Sequence, residues 1–272
     1  MIVVVGAGIS GLSLGYALLK RGQEVTILDA GGVASQTSGI PIRDVERKSS
    51  RLWPNFAAEI EHVSGESVGH NQTGQIKVSR LEHLEQLREE FEQRRSERWL
   101  CRSVTQLELN ELEPALSREL SGGALYSEVA WLDGAAFCRA LAVSIRSLGG
   151  RIVENWKVRH INETKSDVSI HRDNGDIIRA AKVAICNAMG RNEITGIPAD
   201  IALCQPIRGV TLVLDQSMLP SPITHLIKHQ FGHLCPLSSQ KLIVGTTYEK
   251  TISNLTVSDA VVELLYSRAE PV

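Results

Sequence analysis

The sequence predicts an α/β protein in which two domains alternate along the chain. Its 272 residues are enough for about two domains. A strand, a glycine-rich turn, a helix and a second strand fill the first 30 residues, and a further helix–strand unit follows over 133–186. After Pro206, strands dominate. We therefore predict a doubly wound domain interleaved with an α+β domain that is built on an antiparallel sheet. The doubly wound domain comprises residues 1–75 and 133–203, and the α+β domain comprises 76–132 and 204–272.

Hydrophobic periodicity predicts the elements in order. The strands of the first half are 2–5, 24–28, 74–79 and 122–126, and its helices are 11–21, about 51–63 and 81–97. In the second half, Asp133 is a plausible N-cap for a helix over 135–148, which Gly149 and Gly150 would end. The strands that follow are 151–155, 157–162, 167–171, 177–178, 182–186, 208–214, about 223–228 and 241–246, before a last helix over 256–268.

Composition excludes several classes of function. With a net charge of -2 and only 4% aromatic residues, the chain has neither the basic surface nor the stacking side chains of a nucleic-acid binder. No apolar run approaches the length of a membrane span, and the first residues resemble no signal peptide. Five dispersed cysteines, without a Cys-x-x-Cys pair, indicate reduced thiols. We expect a cytoplasmic protein.

The glycine-rich turn predicts a dinucleotide site in a Rossmann-like domain. Gly6 permits the tight turn, Gly8 allows the backbone to approach a pyrophosphate, and Gly11 allows close helix–strand packing. Ile9 and Ser10 belong to the turn and are cofactor-binding candidates, and the helix that follows over 11–21 presents free N–H groups and its positive end to the phosphates. The second strand ends at Asp29, where a carboxylate accepts the ribose hydroxyls and disfavours NADP. These residues alone do not separate NAD from FAD.

The loop after Asp29 resembles that of the D-amino-acid oxidase and glycine oxidase superfamily. It reads Gly-Val-Ala-Ser-Gln-Thr-Ser-Gly over 32–39. Further segments are similar to that family in the same order, namely 73–78, 113–114, 123–125, 131–133, 156–158, 183–190, 205–209 and 242–247. The resemblance implies FAD as the cofactor. The residues that it implicates in cofactor binding, besides those of the turn and Asp29, are Ala30, Ala34, Ser35, Ser38, Gly39, Val158, Asn187, Ala188 and Gly190.

Within the superfamily, the general pattern is most similar to the glycine oxidase branch of thiamine biosynthesis. The resemblance implies oxidation of the amine of glycine or a small amino acid, with oxygen as acceptor and hydrogen peroxide as product. The flavin would carry the chemistry, so no catalytic side chain is nominated. Alternatives are a flavin dehydrogenase of hydroxy or amino acids, a flavin domain acting on a tRNA nucleoside, and a non-catalytic FAD-binding remnant. The sequence does not fix the oligomeric state, so a homo-oligomer stays open.

Several positions depart from the family pattern. Asp29 stands where the family usually has Glu, and His233 lies where an aromatic hydroxyl often meets the substrate, so His233 is a speculative substrate contact. Arg208 is a second candidate, although an ion pair with a carboxylate explains it equally well. The family continues past Val272, so we expect a truncated chain without the usual carboxylate-binding arginine. His225, His229 and His233 recur every four residues without convergent geometry, so no metal site is predicted.

Overall fold

The computed structural model describes residues 1–34, 43–198, 205, 207–250, 256–269 and 272, with only the backbone for 43–50. It divides the chain into two compact units. Unit 1 comprises residues 1–42, 52–68 and 133–205, and unit 2 comprises 43–51, 69–132 and 206–272. Residues 43–51 and 69–75 therefore group with unit 2, whereas the sequence-based division placed them in the first domain. For Gln75 the reason is that it pairs with Tyr126 and Leu226 in the sheet of unit 2.

The elements are numbered in chain order. The strands are β1 (Ile2–Val5), β2 (Val25–Leu28), β3 (Gln75–Ser79), β4 (Cys101–Thr105), β5 (Gly122–Tyr126), β6 (Arg151–Val153), β7 (Val158–Glu163), β8 (Val168–Arg172), β9 (Ile177–Ala180), β10 (Lys182–Ile185), β11 (Ile207–Arg208), β12 (Thr211–Asp215), β13 (Leu226–His229), β14 (Gly232–Pro236), β15 (Lys241–Gly245) and β16 (Glu249–Lys250). The helices are α1 (Ile9–Leu19), α2 (Arg43–Ser64), α3 (Leu84–Ser96), α4 (Gln106–Leu112), α5 (Gly134–Ser147) and α6 (Asp259–Ala269), with short 3₁₀ helices over Leu81–His83 and Ala188–Glu193.

Unit 1 is built on a parallel sheet with the strand order β10-β1-β2-β6. Its strands are mostly apolar because both faces are covered, one by α1 and the other by the cluster in which Val3, Val5 and Leu28 meet Trp156 and Ile170. Helix α1 packs closely on this sheet, since a Cβ added at Gly15 would lie 2.7 Å from Cδ1 of Ile27. The predicted N-cap Asp133 does begin α5, accepting hydrogen bonds from the N–H groups of Ala135 and Ala136. A separate antiparallel sheet, β7-β8-β9, completes the unit.

Unit 2 is built on a seven-stranded sheet with the order β12-β15-β14-β13-β3-β5-β4. Neighbouring strands are antiparallel except β13 and β3, which run parallel. The main core lies on one face, where alternate apolar residues of the strands meet Leu109 of α4 and the buried Leu116 and Leu120. We call this the core face. The opposite face is covered by α3 over β4 and β5, where Leu87 packs on Ala124 and Tyr126.

The sequence did not predict β4, α4 or β14, and it placed the start of α2 too late. Strand β4 reads Cys-Arg-Ser-Val-Thr and buries only Val104, so its hydrophobic pattern is too weak to identify it. Helix α4 has only seven residues, too few for hydrophobic periodicity to identify it, and it begins with a capping box of Thr105 and Glu108. Among the described helices, none is long and apolar enough to cross a membrane.

Candidate dinucleotide site

The three glycines of the first turn have different local constraints. Gly6 has a φ of +108°, and a Cβ there would lie 2.7 Å from the carbonyl oxygen of Cys186. A Cβ at Gly11 would lie 1.9 Å from the carbonyl oxygen of Gly6, so α1 begins in direct contact with the turn. By contrast, no described residue lies within 4 Å of a Cβ built at Gly8. Among the residues that the structure describes, the turn is therefore packed tightly behind Gly8 and open in front of it.

The open side of Gly8 coincides with the amino end of α1. Gly8 is the N-cap, its backbone is extended, and it offers no side chain to the first N–H groups of the helix. The helix begins with Ile9, which is half-buried, and Ser10, which is exposed. Backbone N–H groups at a helix start have no intrahelical acceptor, and they carry the positive end of the helix dipole. The geometry fits an anionic pyrophosphate.

Asp29 follows β2 and is anchored by two backbone N–H groups. Its Oδ2 accepts a hydrogen bond of 2.7 Å from the N–H of Ala7, and its Oδ1 accepts one of 3.0 Å from Gly31. The main chain of Asp29 is also bonded on both sides, to the carbonyl of Val153 and the N–H of Trp156. Each carboxylate oxygen has lone pairs left over, which fit the hydroxyls of a ribose.

The loop after Asp29 runs back over the glycine turn. Ala30 is exposed, and Ala34 has a φ of +63° and donates its N–H to the carbonyl of Ala7 at 3.2 Å. The N–H of Val33 donates to Oε1 of Glu154 at 3.2 Å. The three remaining predicted loop residues lie outside the described part of the chain, namely Ser35, Ser38 and Gly39.

Two more of the predicted positions lie beside the turn. Asn187 comes just after β10, and its Cα would lie 2.9 Å from a Cβ at Gly6. Its Oδ1 is buried without a hydrogen-bond partner in the described structure. Ala188 has a φ of +45°, and Gly190 donates its N–H to the carbonyl of Asn187 at 2.9 Å. This segment thus forms a tight turn against Gly6.

Val158 is placed differently from the other candidates. Its side chain is buried in a core cluster with Val3, Val5 and Leu28, so only its backbone is left for a cofactor contact. That is the kind of contact the resemblance implied, and it stays a prediction. The other described candidates of unit 1 lie where the parallel strands β1, β2 and β10 end. This edge is the usual ligand site of an open parallel sheet.

Sequence reasoning missed the groups that hold the site in shape. Ala7 and Gly31 anchor Asp29 through their N–H groups, and Glu154 anchors the loop through its carboxylate. A signal for Glu154 was present, because it is an acid directly after β6, the strand that pairs with β2. An acid at the carboxyl end of a parallel strand lies at the ligand edge of the sheet.

The two speculative substrate contacts belong to unit 2. Arg208 lies on β11 and donates to Oε2 of Glu249 from Nε at 3.1 Å and from Nη2 at 2.5 Å. Its Nη1 donates to the carbonyl of Thr256 at 2.6 Å. The arginine is therefore engaged in the carboxylate pair that the sequence offered as its alternative role. His233 lies half-buried on β14. Its imidazole lies over Gly245, in the space that a Cβ at this position would need.

The three histidines do not converge. His225 Nδ1 lies 2.6 Å from Oε1 of the buried Glu113, His229 shares the core face with Ile227, and His233 lies on the opposite face. The described residues include no group of three or more His, Cys, Asp or Glu side chains suited to a metal ion.

Comparison with known proteins identifies the family. The model of the DAO family, FAD dependent oxidoreductases, matches residues 1–272. The chain belongs to this family. Its dinucleotide is therefore FAD, and the free helix start, the open space at Gly8 and the anchored carboxylate of Asp29 suit the ADP portion of that cofactor.

Individual relatives are distant. Glycine oxidase from Geobacillus kaustophilus is 24% identical over 266 residues, covering 90% of this chain and 69% of that protein. Its crystal structure has a TM-score of 0.87 at 22% identity, covering 99% of this chain and 77% of that one, which shows the common fold.

Two bifunctional proteins are also similar. The ThiO/ThiG protein of Trichormus variabilis is 23% identical over 265 residues, covering 91% of this chain but 39% of that protein. The tRNA 5-methylaminomethyl-2-thiouridine biosynthesis protein MnmC of Hahella chejuensis is 26% identical over 282 residues, covering 95% of this chain and 43% of that protein. The chain thus spans less than half the length of these two relatives.

Proposed function

We propose that this protein oxidises the amine of glycine or another small amino acid to the imino acid, with oxygen as electron acceptor and hydrogen peroxide as product. The proposal is carried by the match of the whole chain to the FAD-dependent family, together with a glycine oxidase that covers 90% of it. The imino acid then hydrolyses in water. When it is bound, FAD accepts the two electrons that leave the amine, before they pass to oxygen.

The residues of the dinucleotide site would hold the cofactor in three ways. The first N–H groups of α1 would donate to the pyrophosphate, because Gly8 places no side chain in front of them. The carboxylate of Asp29, already fixed by Ala7 and Gly31, would accept hydrogen bonds from the ribose. The turn at Asn187 would close the site beside Gly6. These groups orient the cofactor and perform no proton transfer.

The proposal also assigns a different role to each unit. We propose that unit 1 binds FAD and that unit 2 supplies the substrate-binding surface, as the resemblance implies. The sequence-based candidates follow this division, since the glycine turn, Asp29 and Asn187 belong to unit 1, whereas Arg208 and His233 belong to unit 2. A small-molecule substrate, with neither nucleic acid nor membrane as partner, is consistent with the net charge of -2.

The first experiment is reconstitution with FAD, followed by gel filtration and an absorbance scan. The proposal requires co-eluting flavin bands. Peroxide formation is then assayed against glycine, sarcosine, D-alanine and glycolate. Peroxide with an amine but not with glycolate supports the proposal, whereas reduction of an artificial dye without peroxide would make the protein a dehydrogenase. Absence of bound flavin would leave a non-catalytic remnant and contradict the proposal. Gly8→Ala is the matched control variant. It should keep the packing of the turn and bind FAD more weakly, because its methyl group lies only on the open side.

A second candidate function is oxidation of an alkylamino group on a modified tRNA nucleoside. The observation in its favour is that MnmC covers 95% of this chain at 26% identity. The weakly acidic composition argues against binding of tRNA by this chain. Adding 5-methylaminomethyl-2-thiouridine, the nucleoside in the name of that relative, to the peroxide assay distinguishes the two, because only the second candidate predicts that it is preferred to glycine.

A further inference from the structure

Two histidines face each other on the outer side of the three-stranded sheet of unit 1. His160 of β7 pairs in register with His171 of β8. Regular alternation would bury His160, because Val158, two residues earlier, is buried. A β-bulge between these two residues interrupts the alternation, so His160 is exposed and the next residue, Ile161, is buried instead. The bulge therefore places the imidazole of His160 beside that of the half-buried His171.

Each of the two imidazoles has one ring nitrogen hydrogen-bonded to a hydroxyl. Nδ1 of His160 lies 2.8 Å from Oγ1 of Thr195, and this hydroxyl donates to a main-chain carbonyl oxygen at 3.2 Å. Nε2 of His171 lies 2.9 Å from Oγ of Ser169, and this hydroxyl donates to another main-chain carbonyl oxygen at 3.4 Å. Because each hydroxyl hydrogen is already donated, the hydroxyl oxygen accepts the N–H of the imidazole. In the neutral imidazoles, Nε2 of His160 and Nδ1 of His171 then carry the lone pairs.

The spacing of the two rings suits one tetrahedral metal ion. Their centroids are 5.4 Å apart, and their planes make an angle of 63°. Zinc–nitrogen bonds are about 2.0–2.1 Å long, which places the centroid of an imidazole about 3.2 Å from the ion. Two imidazoles on a tetrahedral ion therefore have centroids about 5.2 Å apart. An acceptor at the opposite ring nitrogen is also typical of metal-bound histidines, because it fixes the tautomer and the orientation of the ring.

The arginines next to these histidines in the sequence are paired with acids. Arg159 donates to Oε2 of Glu193 at 2.9 Å, and Nη1 of Arg172 lies 3.4 Å from Oδ2 of Asp176. Opposite charges close by reduce the repulsion that an arginine exerts on another cation. The local charge is therefore compatible with a bound cation at the two imidazoles.

We propose that His160 and His171 bind a Zn²⁺ ion, through Nε2 of the first and Nδ1 of the second. Water would complete the four ligands, since no third His, Cys, Asp or Glu joins the pair among the residues that the structure describes. With two protein ligands the ion is exchangeable, unlike a structural zinc that is held by four. It would link β7 to β8. No step of the proposed oxidation uses this site.

The test is a titration of the full chain with zinc chloride, followed by NMR of the histidine Cε1–H signals. His160→Gln and His171→Gln assign the two signals. We expect both to change together and to saturate at one ion per chain, whereas magnesium chloride leaves them unchanged because Mg²⁺ prefers oxygen ligands. Each variant should weaken Zn²⁺ binding at the remaining histidine about 10-fold or more, since one of two protein ligands is lost. His62→Gln is the matched control, because His62 is exposed at the end of α2, and it should change binding less than about 2-fold.

A second pair of variants tests the tautomer. Thr195→Val removes the acceptor of the Nδ1–H of His160 and should weaken Zn²⁺ binding about 10-fold, whereas Thr195→Ser keeps the hydroxyl and should retain most of the binding. Far-UV circular dichroism verifies that each variant is folded.

Three results would overturn the site: a zinc response at only one of the two histidines or at neither, an equal response to magnesium, or equal weakening by His160→Gln and His62→Gln. The titration needs neither FAD nor turnover. The zinc site can therefore stand if the proposed oxidase activity fails, and it can fail if that activity holds.

Discussion

At the scale of single residues, the glycine turn contains one glycine that the fold requires and another that we expect cofactor binding to require. Gly11 is needed for packing, since a Cβ would lie 1.9 Å from the carbonyl oxygen of Gly6. Gly8 has an ordinary extended backbone, with φ -82° and ψ -178°, and none of the described residues lies within 4 Å of a Cβ built there. Alanine is therefore compatible with the fold at Gly8 and incompatible with it at Gly11. The two positions form a natural pair of variants.

We expect Gly11→Ala to lower the free energy of unfolding by about 3 kcal/mol, because the carbonyl of Gly6 belongs to the backbone and cannot move aside cheaply. Gly8→Ala should leave that free energy within about 0.5 kcal/mol and weaken FAD binding about 10-fold or more, since its methyl group points to the pyrophosphate position. Urea unfolding without FAD and fluorescence titration with FAD measure the two effects. Equal stability of the two variants would contradict the assignment of Gly11 to packing.

His229 is the residue whose titration we expect to matter most for stability. It is buried in the sheet of unit 2, and its Nδ1 has no partner in the described structure. Burial, followed by the charges of His233 and Arg268, lowers its pKa to about 4. In the unfolded chain the pKa is about 6.5. Between these values the unfolded state binds more protons, so stability is fully present above about pH 6.5 and is lost as the pH falls toward 4.

His229→Gln should therefore flatten the dependence of stability on pH. The full shift corresponds to about 3 kcal/mol lost between pH 6.5 and 4. Urea unfolding at a series of pH values, for the wild type and the variant, measures this contribution. His62→Gln is the control, because His62 is exposed at the end of α2. A wild-type curve as flat in this range as that of His229→Gln would count against the buried neutral imidazole.

At the scale of elements, one buried carboxylate holds the segment that leads into β13. Glu113 follows α4 and is fully buried. Its oxygens accept hydrogen bonds from the N–H and the hydroxyl of Thr224, and from the N–H of His225. The imidazole Nδ1 of His225 completes the set at 2.6 Å. Glu113, which belongs to the family-like segment 113–114, thus links α4 to the start of β13.

We expect Glu113→Ala to lower the free energy of unfolding by about 3 kcal/mol or more, because it leaves several buried donors without an acceptor. Glu119→Ala is the matched control. That acid is exposed and pairs with Arg80 at 2.8 Å, so its loss should change stability by less than about 1 kcal/mol. Urea unfolding of both variants gives the comparison. Similar losses for the two would show that the buried network is dispensable.

At the scale of the whole molecule, the chain carries two compact units with separate sheets and cores. The candidate dinucleotide site lies in unit 1, at the ends of its parallel strands. It can therefore be tested with FAD by itself.

FAD should stabilise the chain as any ligand of the native state does. At a free concentration 100 times its Kd, we expect an increase of about 2.7 kcal/mol in the free energy of unfolding. Thermal unfolding with and without FAD, followed by far-UV circular dichroism, measures it. Asp29→Ala removes the acceptor that Ala7 and Gly31 hold in place, and it should abolish most of the increase. An equal increase with AMP alone would assign the effect to the adenosine half of the site.

The dinucleotide unit could be predicted from the sequence because its constraints are local. Gly6, Gly8, Gly11 and Asp29 stand at fixed spacings around one strand–turn–helix–strand segment, and short-range geometry decides what they do. The order of similar segments then extended the assignment to FAD. Strong apolar periodicity likewise predicted α5 and its N-cap Asp133.

What the sequence could not decide depends on contacts between distant parts of the chain. Backbone groups anchor Asp29, and Arg208 pairs with Glu249, only when the strands are assembled. The same is true of the buried Glu113, whose partners lie 111 and 112 positions away in the sequence. Strands β4 and β14 could not be predicted because their hydrophobic patterns are weak. Pairing with neighbouring strands holds these segments in the sheet. Likewise, Lys228 and His233 stand opposite each other only through strand register. Hydrophobic spacing along a chain specifies elements, but the pairing of those elements decides which polar groups meet.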